Sequence, residues 1–207
     1  MLYLILKRLF DILIALFLLV FVLSWLSPLL LIFNFFEDGR PLLFVHQREG
    51  KQRKLFWCIK YCTFPKGVPH PKAGGKIRFR VSWLGAKMRS SGIDELPQMV
   101  NVLLGNMSII GPRPHIAEYN AYYQKIVGEE QMDARHAVKP GLTGLAQIRG
   151  YRGETPDEAS VKNRISSDLE YIKKQSLAMD GMIFIKSFKL LIESFTNKLF
   201  QKKTPNY

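Results

Sequence analysis

Cysteine is almost missing from these 207 residues: Cys58 and Cys62 are the only two, separated by three residues. Such a pair builds no disulfide framework and has no Cys/His quartet beside it, so zinc is disfavoured and reduced thiols on the cytoplasmic side are expected. The phosphate loops of common nucleotide folds are missing too. Neither Gly-x-x-x-x-Gly-Lys-Ser/Thr nor Gly-x-Gly-x-x-Gly occurs, and there is no Asp-x-Asp pair of the kind many nucleotide-sugar enzymes use for metal. Acid is scarce, 17 Asp or Glu against 30 Lys or Arg, for a net charge of +13. Most of that excess is one block, since residues 37–90 hold 13 basic residues against 3 acidic ones. A basic block suits nucleic acid, anionic headgroups or a phosphate-rich substrate, and charge alone does not choose among them. Internal repeats and low-complexity segments are absent, and 47% hydrophobic composition supports one soluble core with an appendage.

What is present begins with residues 12–36, 25 positions without a charged side chain, preceded by Lys7, Arg8 and Asp11 and followed by Glu37, Asp38 and Arg40. That length marks a membrane segment. No Ala-x-Ala cleavage site lies between Leu23 and Arg40, and the run exceeds the apolar region of a signal peptide, so the anchor is expected to stay on. Ser27-Pro28 interrupts it, because proline offers no N–H to the carbonyl of Ser24 and its ring crowds that turn. Residues 12–27 make about 24 Å of helix, short of a ~30 Å hydrocarbon core. With basic residues on both flanks, the positive-inside rule keeps both ends in the cytoplasm. The expectation is a re-entrant helix–break–helix anchor over residues 1–36, broken at Ser27 and Pro28, and a cytoplasmic domain over 37–207. A kinked spanning helix is the alternative.

The remainder reads as α+β, mainly helical. Two short strands, starting near 41 and 54, surround a Gly/Lys turn, and the second carries Lys60. Residues 65–75, with three prolines and three glycines, form a loop to which no chemistry is assigned. A helical piece from Trp83 delivers Arg89 five residues ahead of Asp94. Asp94 and Glu95 stand beside Pro97 at a helix start, and Gly105 closes that helix. Two adjacent carboxylates there could hold magnesium, or one could act as a nucleophile, while free N–H groups favour phosphate oxygens. A plain N-cap explains the same residues. Arg113 follows, held between Pro112 and Pro114. The tyrosine-rich helix over 115–127 reads as packing. Residues 139–155 carry four glycines among basic residues, which suits backbone brought close to a ligand, with Arg149 and Arg152 available to an anion; a turn-rich surface loop is the alternative. An amphipathic helix over 157–173 precedes an apolar, lysine-interrupted one over 179–200, read as an interfacial helix on the bilayer or as a core helix.

Three function classes compete. A membrane-tethered nucleic-acid binder explains the basic block only, and no nucleic-acid motif occurs, so nucleic acid is not expected as a partner. A scaffold for anionic lipid leaves the glycine- and proline-framed arginines without purpose. An enzyme acting on phosphates at the membrane surface accounts for the anchor, the basic block, the acidic pair and the arginines together. Tolerance of Asp94→Asn separates the first two from the third.

Taken with their spacing, Lys7-Arg8-Leu-Phe-Asp11, Ser27-Pro28, Gln47-Arg-Glu-Gly50, Phe56 through Lys60, Gly85 to Arg89, Asp94-Glu-Leu-Pro-Gln98, Asn101-Val, Gly105-Asn-Met-Ser-Ile-Ile-Gly-Pro-Arg-Pro114, Lys139-Pro-Gly-Leu-Thr-Gly144 and Asp168-Leu-Glu-Tyr171 resemble the bacterial sugar transferases. These are monotopic polyprenol-phosphate sugar-1-phosphate transferases, and the likeness is to their short form, anchor and catalytic domain alone. It implies transfer of a sugar 1-phosphate from a UDP-sugar to undecaprenyl phosphate, with Mg2+, at the cytoplasmic face of the bacterial inner membrane, opening capsule, exopolysaccharide or O-antigen assembly. By the same resemblance Asp94 is the nucleophile that releases UMP and carries a phospho-sugar, Glu95 helps hold the metal, and Lys60, Arg89 and Arg113 bind phosphate. Two positions depart from the family pattern: Cys62 where an arginine is usual, and Arg149 where an Asn before Gly is usual. The missing cation is expected from Arg53, Arg78 or Arg80, or signals another substrate preference. Tyr151-Arg-Gly-Glu-Thr155 is similar to members that transfer glucose 1-phosphate. Neither the sugar nor self-association into a homo-oligomer is decided at this level.

Overall fold

The computed structural model describes residues 2–66, 82–153, 155 and 157–200, with backbone alone from 194 onward. Apart from Pro65 and Lys66, the proline- and glycine-rich loop lies outside the described residues, as do Arg78 and Arg80.

The apolar run is helical throughout. Helix α1 (Leu2–Leu18) passes through a wide π-helical turn (Leu19–Leu23) into α2 (Ser24–Glu37), giving one 36-residue helix long and apolar enough to cross a membrane by length and composition. The expected break at Ser27 and Pro28 is not there: Pro28 stands inside α2, and the irregularity sits upstream of it. A proline removes one N–H and crowds one carbonyl, and a widened turn nearby absorbs that without ending the helix. Within it the Ser24 N–H reaches back five residues to the Leu19 carbonyl, the Ser24 hydroxyl donates to the Val20 carbonyl at 2.5 Å, and Trp25 Nε1 donates to the Phe21 carbonyl at 2.7 Å.

Strands β1 (Leu43–Glu49) and β2 (Leu55–Tyr61) form the expected antiparallel hairpin, with Leu43 opposite Tyr61 and Glu49 opposite Leu55. Side chains alternate across a strand, so Phe44, His46 and Arg48 share one face with Lys60, Cys58 and Phe56. Helix α3 (Trp83–Ser91) starts where the Ser82 hydroxyl accepts the Gly85 N–H at 2.9 Å and stops at Gly92, whose φ of +77° is the left-handed conformation glycine supplies cheaply. A single 3-10 turn (Ile93–Glu95) leads through Pro97 into α4 (Gln98–Leu103). Strand β3 (Ser108–Ile110) pairs parallel with β4 (Gly141–Thr143), and α5 (Ala117–Val127) and α6 (Glu129–Arg135) form the crossover. Helices α7 (Leu145–Ile148), α8 (Glu158–Lys174) and α9 (Leu177–Phe200) follow, the Asp157 carboxylate capping α8 on the Ser160 N–H at 2.7 Å. The architecture is α+β and mainly helical, as expected. The glycines at 141 and 144 are spent differently from the sequence reading. A Cβ on Gly141 would sit 2.1 Å from the Gly111 nitrogen, and one on Gly144 would sit 2.3 Å from the Gly111 oxygen. They let backbone meet backbone rather than a ligand.

The core gathers Met99 and Val102 of α4, Ile109 and Ile110 of β3, Leu145, Tyr171 and Ile183, with Ala15 from α1 and Phe56 and Cys58 from β2. Helix α1 is thus built into the body along one side, where Asp11 and Ala15 are buried. Its Asp11 carboxylate is buried and accepts the Ile109 N–H at 2.8 Å and the Ser108 hydroxyl at 3.0 Å, while Arg8 donates to the Val102 and Leu103 carbonyls at the end of α4. Lys7 pairs with Asp180 of α9 at 2.8 Å. Farther along, Leu30 of α2 packs with Tyr61 and Met88, and the Ser27 hydroxyl meets the Tyr61 hydroxyl at 2.7 Å. Helix α9 contributes to the core through Ile183, which is fully buried, whereas its Ile185, Phe188 and Ile192 are exposed.

Candidate active site

Three elements converge on the 3-10 turn after Gly92. Strand β2 supplies Lys60, the chain leaving β3 supplies Arg113, and α3 supplies Arg89. Glu95 is buried at the centre and fully engaged. Arg113 grips it with both guanidinium nitrogens, Nη1 to Oε2 at 2.9 Å and Nη2 to Oε1 at 2.6 Å, and Lys60 Nζ donates to Oε1 at 2.5 Å. Burial works to raise the Glu95 carboxyl, but Arg113 and Lys60 outweigh it and hold the group well below its ordinary 4.5. Its charge is therefore permanent at neutral pH.

Asp94, next in the chain, is treated in the opposite way. Its side chain is equally buried, yet among the described residues it has neither a hydrogen bond nor an ion pair. Burial, and then the neighbouring Glu95 charge, raise its carboxyl above the ordinary 3.8, opposed by the fields of Lys60, Arg89 and Arg113. One carboxylate is locked by cations while its neighbour is left unpaired within their field. Such a contrast leaves Asp94 available to a ligand, while Glu95 is held in place. Cys58 is also buried, and burial pushes its thiol up, so it keeps its proton.

Arg89 is steered by Thr63, whose hydroxyl accepts from Nε at 2.8 Å, and by the Phe64 ring, 4.2 Å from the guanidinium carbon. Asn101 holds β2 onto α4, its amide donating to the Trp57 carbonyl at 2.7 Å and accepting the Ile59 N–H at 3.0 Å. Of the two loop arginines, Arg152 lies against Gly92, where a Cβ would come within 2.5 Å of its Nη2, whereas Arg149 is tied to Glu170 at 2.6 Å on the exposed side of α8. The sequence reading assigned no role to Arg48, which the hairpin register places on the face of Lys60. Arg48 donates to the Pro114 carbonyl, and its Nε is buried without a partner among the described residues. The period-two alternation of β1 carried that signal. Of the cations expected to replace the arginine usual at position 62, Arg53 is engaged by Asp133 and Gln124 at 2.8 Å each, and Arg78 and Arg80 lie outside the described residues. Cys62 itself is buried, its sulfur 3.6 Å from the Phe64 carbonyl.

Behind Arg113 lies a second polar layer. Arg135 donates to the Arg113 carbonyl at 2.6 Å and pairs with Asp168 at 2.8 Å, both side chains nearly fully buried. His115 sits between Arg135 and Arg164, and burial and those two charges keep it neutral, well below its ordinary 6.5. Arg164 reaches the Gly153 carbonyl, tying α8 to the loop that carries Arg152.

Among the described residues no group of three or more His, Cys, Asp or Glu side chains is placed to hold a metal alone. Asp94, with no protein partner among the described residues, is the carboxylate here that is open to a cation, and one carboxylate with water and substrate phosphates is a usual set for magnesium.

The family model described as bacterial sugar transferase matches residues 2–194. A UDP-glucose:undecaprenyl-phosphate glucose-1-phosphate transferase of Klebsiella pneumoniae is 37% identical over 93% of this chain and 40% of its own length. A protein of the same name from Xanthomonas campestris pv. campestris is 40% identical over 70% of the chain and 30% of its own length. An exopolysaccharide production protein, PSS, of Rhizobium leguminosarum bv. phaseoli is 38% identical over 87% of the chain and 92% of its own. The chain thus spans less than half of the two glucose transferases and nearly all of the rhizobial protein.

Proposed function

Because the chain belongs to the bacterial sugar transferase family, we propose that it transfers a sugar 1-phosphate, glucose 1-phosphate first among candidates, from a UDP-sugar to undecaprenyl phosphate as the first step of a surface glycan. The observation that carries this reading is the contrast between Asp94, unpaired, and Glu95, gripped by Lys60 and Arg113. The Asp94 carboxylate attacks the phosphorus that bears the sugar; the bond to the bridging oxygen breaks, UMP leaves, and Asp94 carries the phospho-sugar. A phosphate oxygen of the lipid then attacks the same phosphorus and frees Asp94. Arg89 and Arg152 bind the oxygens of the diphosphate, while Lys60 and Arg113 position Glu95 and keep the site positive. Magnesium held by Asp94 and Glu95 would neutralise phosphate charge as the bond breaks. Mixing the purified protein with a panel of UDP-sugars, with and without undecaprenyl phosphate, tests the reading. UMP released from UDP-glucose before lipid is added supports it, and no turnover with any UDP-sugar counts against it.

The re-entrant anchor belongs to the same proposal. Residues on both sides of the π-helical turn touch the same body: Lys7, Arg8 and Asp11 before it, and Ser27 and Leu30 after it. Between them Phe17, Val20, Phe21 and Trp25 are exposed and apolar. A helix fastened to one domain on both sides of an exposed apolar middle supports an anchor whose two ends face the same side of the bilayer. A single cysteine at position 3, with Cys58 and Cys62 removed, should react only from the cytoplasmic side. Labelling from the opposite side would make the segment a span.

A further inference from the structure

Between the β1–β2 turn and the end of α4 lies a cavity of about 140 Å3, well above the roughly 15 Å3 that a single water needs. Lys51, Lys54 and Lys139 line it with Asn106, over walls made by Leu55 and Phe56, and no lining residue is acidic. Among the described residues none of the three ammonium groups has a carboxylate partner. A fourth cation adjoins them: a Cβ on Gly105 would stand 3.5 Å from Lys139 Nζ and 3.9 Å from Arg8 Nη2. Burial, then the neighbouring Arg8 charge, lowers Lys139, with the buried Asp11 carboxylate opposing them and Lys51 adding to them. The turn that presents Lys51 and Lys54 is ordered. Gln52 and Arg53 take left-handed backbone, the Gln52 N–H bonds the His136 carbonyl at 2.8 Å, and Arg53 is fastened to Asp133 and Gln124.

The cavity is separate from the acidic pair. It shares no lining residue with the Asp94 cluster, and Phe56 and Lys60 are four positions, about 13 Å, apart along β2. Its surroundings are apolar in a particular way: Leu55 and Leu104 are well exposed at its edge, and Arg8 belongs to the helix whose Leu4, Ile5 and Leu9 are exposed beside it. A cationic cup with an apolar rim beside an anchoring helix matches a phosphate that carries hydrocarbon.

We propose that the cavity lined by Lys51, Lys54 and Lys139, with Arg8 adjoining it, is a second phosphate site that takes the headgroup of an anionic membrane lipid, and by the same chemistry free phosphate. The proposal does not depend on the transferase reading, since its test reads binding and not turnover. Full-length protein in nanodiscs of equal phosphatidylglycerol and phosphatidylcholine would be released into a mass spectrometer under native conditions, and retained lipids counted. Retention should favour phosphatidylglycerol, and the Lys51→Gln/Lys54→Gln pair should cut that preference about tenfold. Lys125→Gln/Lys173→Gln removes the same charge elsewhere and should leave it intact. Lys51 and Lys54 are exposed turn residues, so an unchanged melting temperature is expected; Lys139→Gln gives an independent route to the same loss. Adding inorganic phosphate separates the sources. Lipid retained against millimolar phosphate identifies the headgroup as occupant, whereas 31P line broadening of phosphate that is lost in the turn variant, without lipid preference, identifies the free anion. Equal loss in the control pair, or neither lipid preference nor phosphate broadening, overturns the proposal.

Discussion

Protein carrying Asp94→Asn is expected to release no UMP from a UDP-sugar and to take up no label from its β-phosphate, a loss of about 10⁴-fold or more, because an amide is a poor nucleophile. The fold should survive the change. Asp94 has no protein partner among the described residues, so an amide of the same shape breaks no contact and the melting temperature should stay put. In the native protein the label should be at most stoichiometric and sit on a peptide containing Asp94. Glu95→Gln has a different signature. It strips two buried cations of their anion, so it should slow the label without moving it and lower stability as well, by about 3–5 kcal/mol, the usual cost of breaking a buried pair. The pH dependence follows from Asp94. Attack requires its carboxylate, and burial and the Glu95 charge raise its pKa, so labelling should fade as pH falls through a value above 3.8. Turnover by Asp94→Asn, or label on another residue, would mean direct transfer between the two substrates.

Asp168→Ala is expected to be among the most destabilising single changes, although Asp168 is separated from the acidic pair by two other side chains. It removes the anion from Arg135 in a layer that also holds Arg164 and a neutral His115. The expected cost is again about 3–5 kcal/mol, a large part of the 5–15 kcal/mol that typically holds a domain folded. A urea titration in detergent should show an earlier midpoint, and residual activity should fall because Arg135 supports the Arg113 carbonyl at 2.6 Å. Glu170→Ala offers the contrast: its pairs with Arg149 and Lys174 lie on the surface, and the midpoint should not move. Equal midpoints for Asp168→Ala and the native protein would show that the buried layer is not what steadies Arg113.

The elements and the acidic pair were legible because they rest on local rules. Ser82 and Asp157 cap helices, Gly92 and Gly105 end them, and the β-branched and aromatic residues of 55–61 make a strand. Lys60, Arg89 and Arg113 do meet around Asp94 and Glu95, and spacing with the family resemblance pointed to them. What stayed hidden was non-local. Arg48 enters through strand register, and the pairing of Arg135 with Asp168 joins two helices that share no pattern. Pro28 misled in the other direction. A local rule says that proline ends a helix, but in an apolar segment the backbone has no better partner than its own carbonyls, so a widened turn replaces the break. The glycines at 141 and 144 carried a real signal of close approach, and what approaches is Gly111.

The burial of Ala15 and Asp11 among residues from the middle of the chain also constrains the order in which the molecule can be made. Asp11 bonds Ile109, 98 positions away, and Tyr3 bonds Asp180 at 3.0 Å across 177 positions. The first helix leaves the ribosome long before either partner exists, and contacts of such sequence separation form slowly. Until then Asp11 has no amide to bind, and the apolar side chains that will meet Ala15 have nothing to cover them. A bilayer that takes up the first helix at once would shelter it through that interval and hold its basic flank at the surface. The anchor would then act first as a template on which the later chain condenses, and only afterwards as a tether.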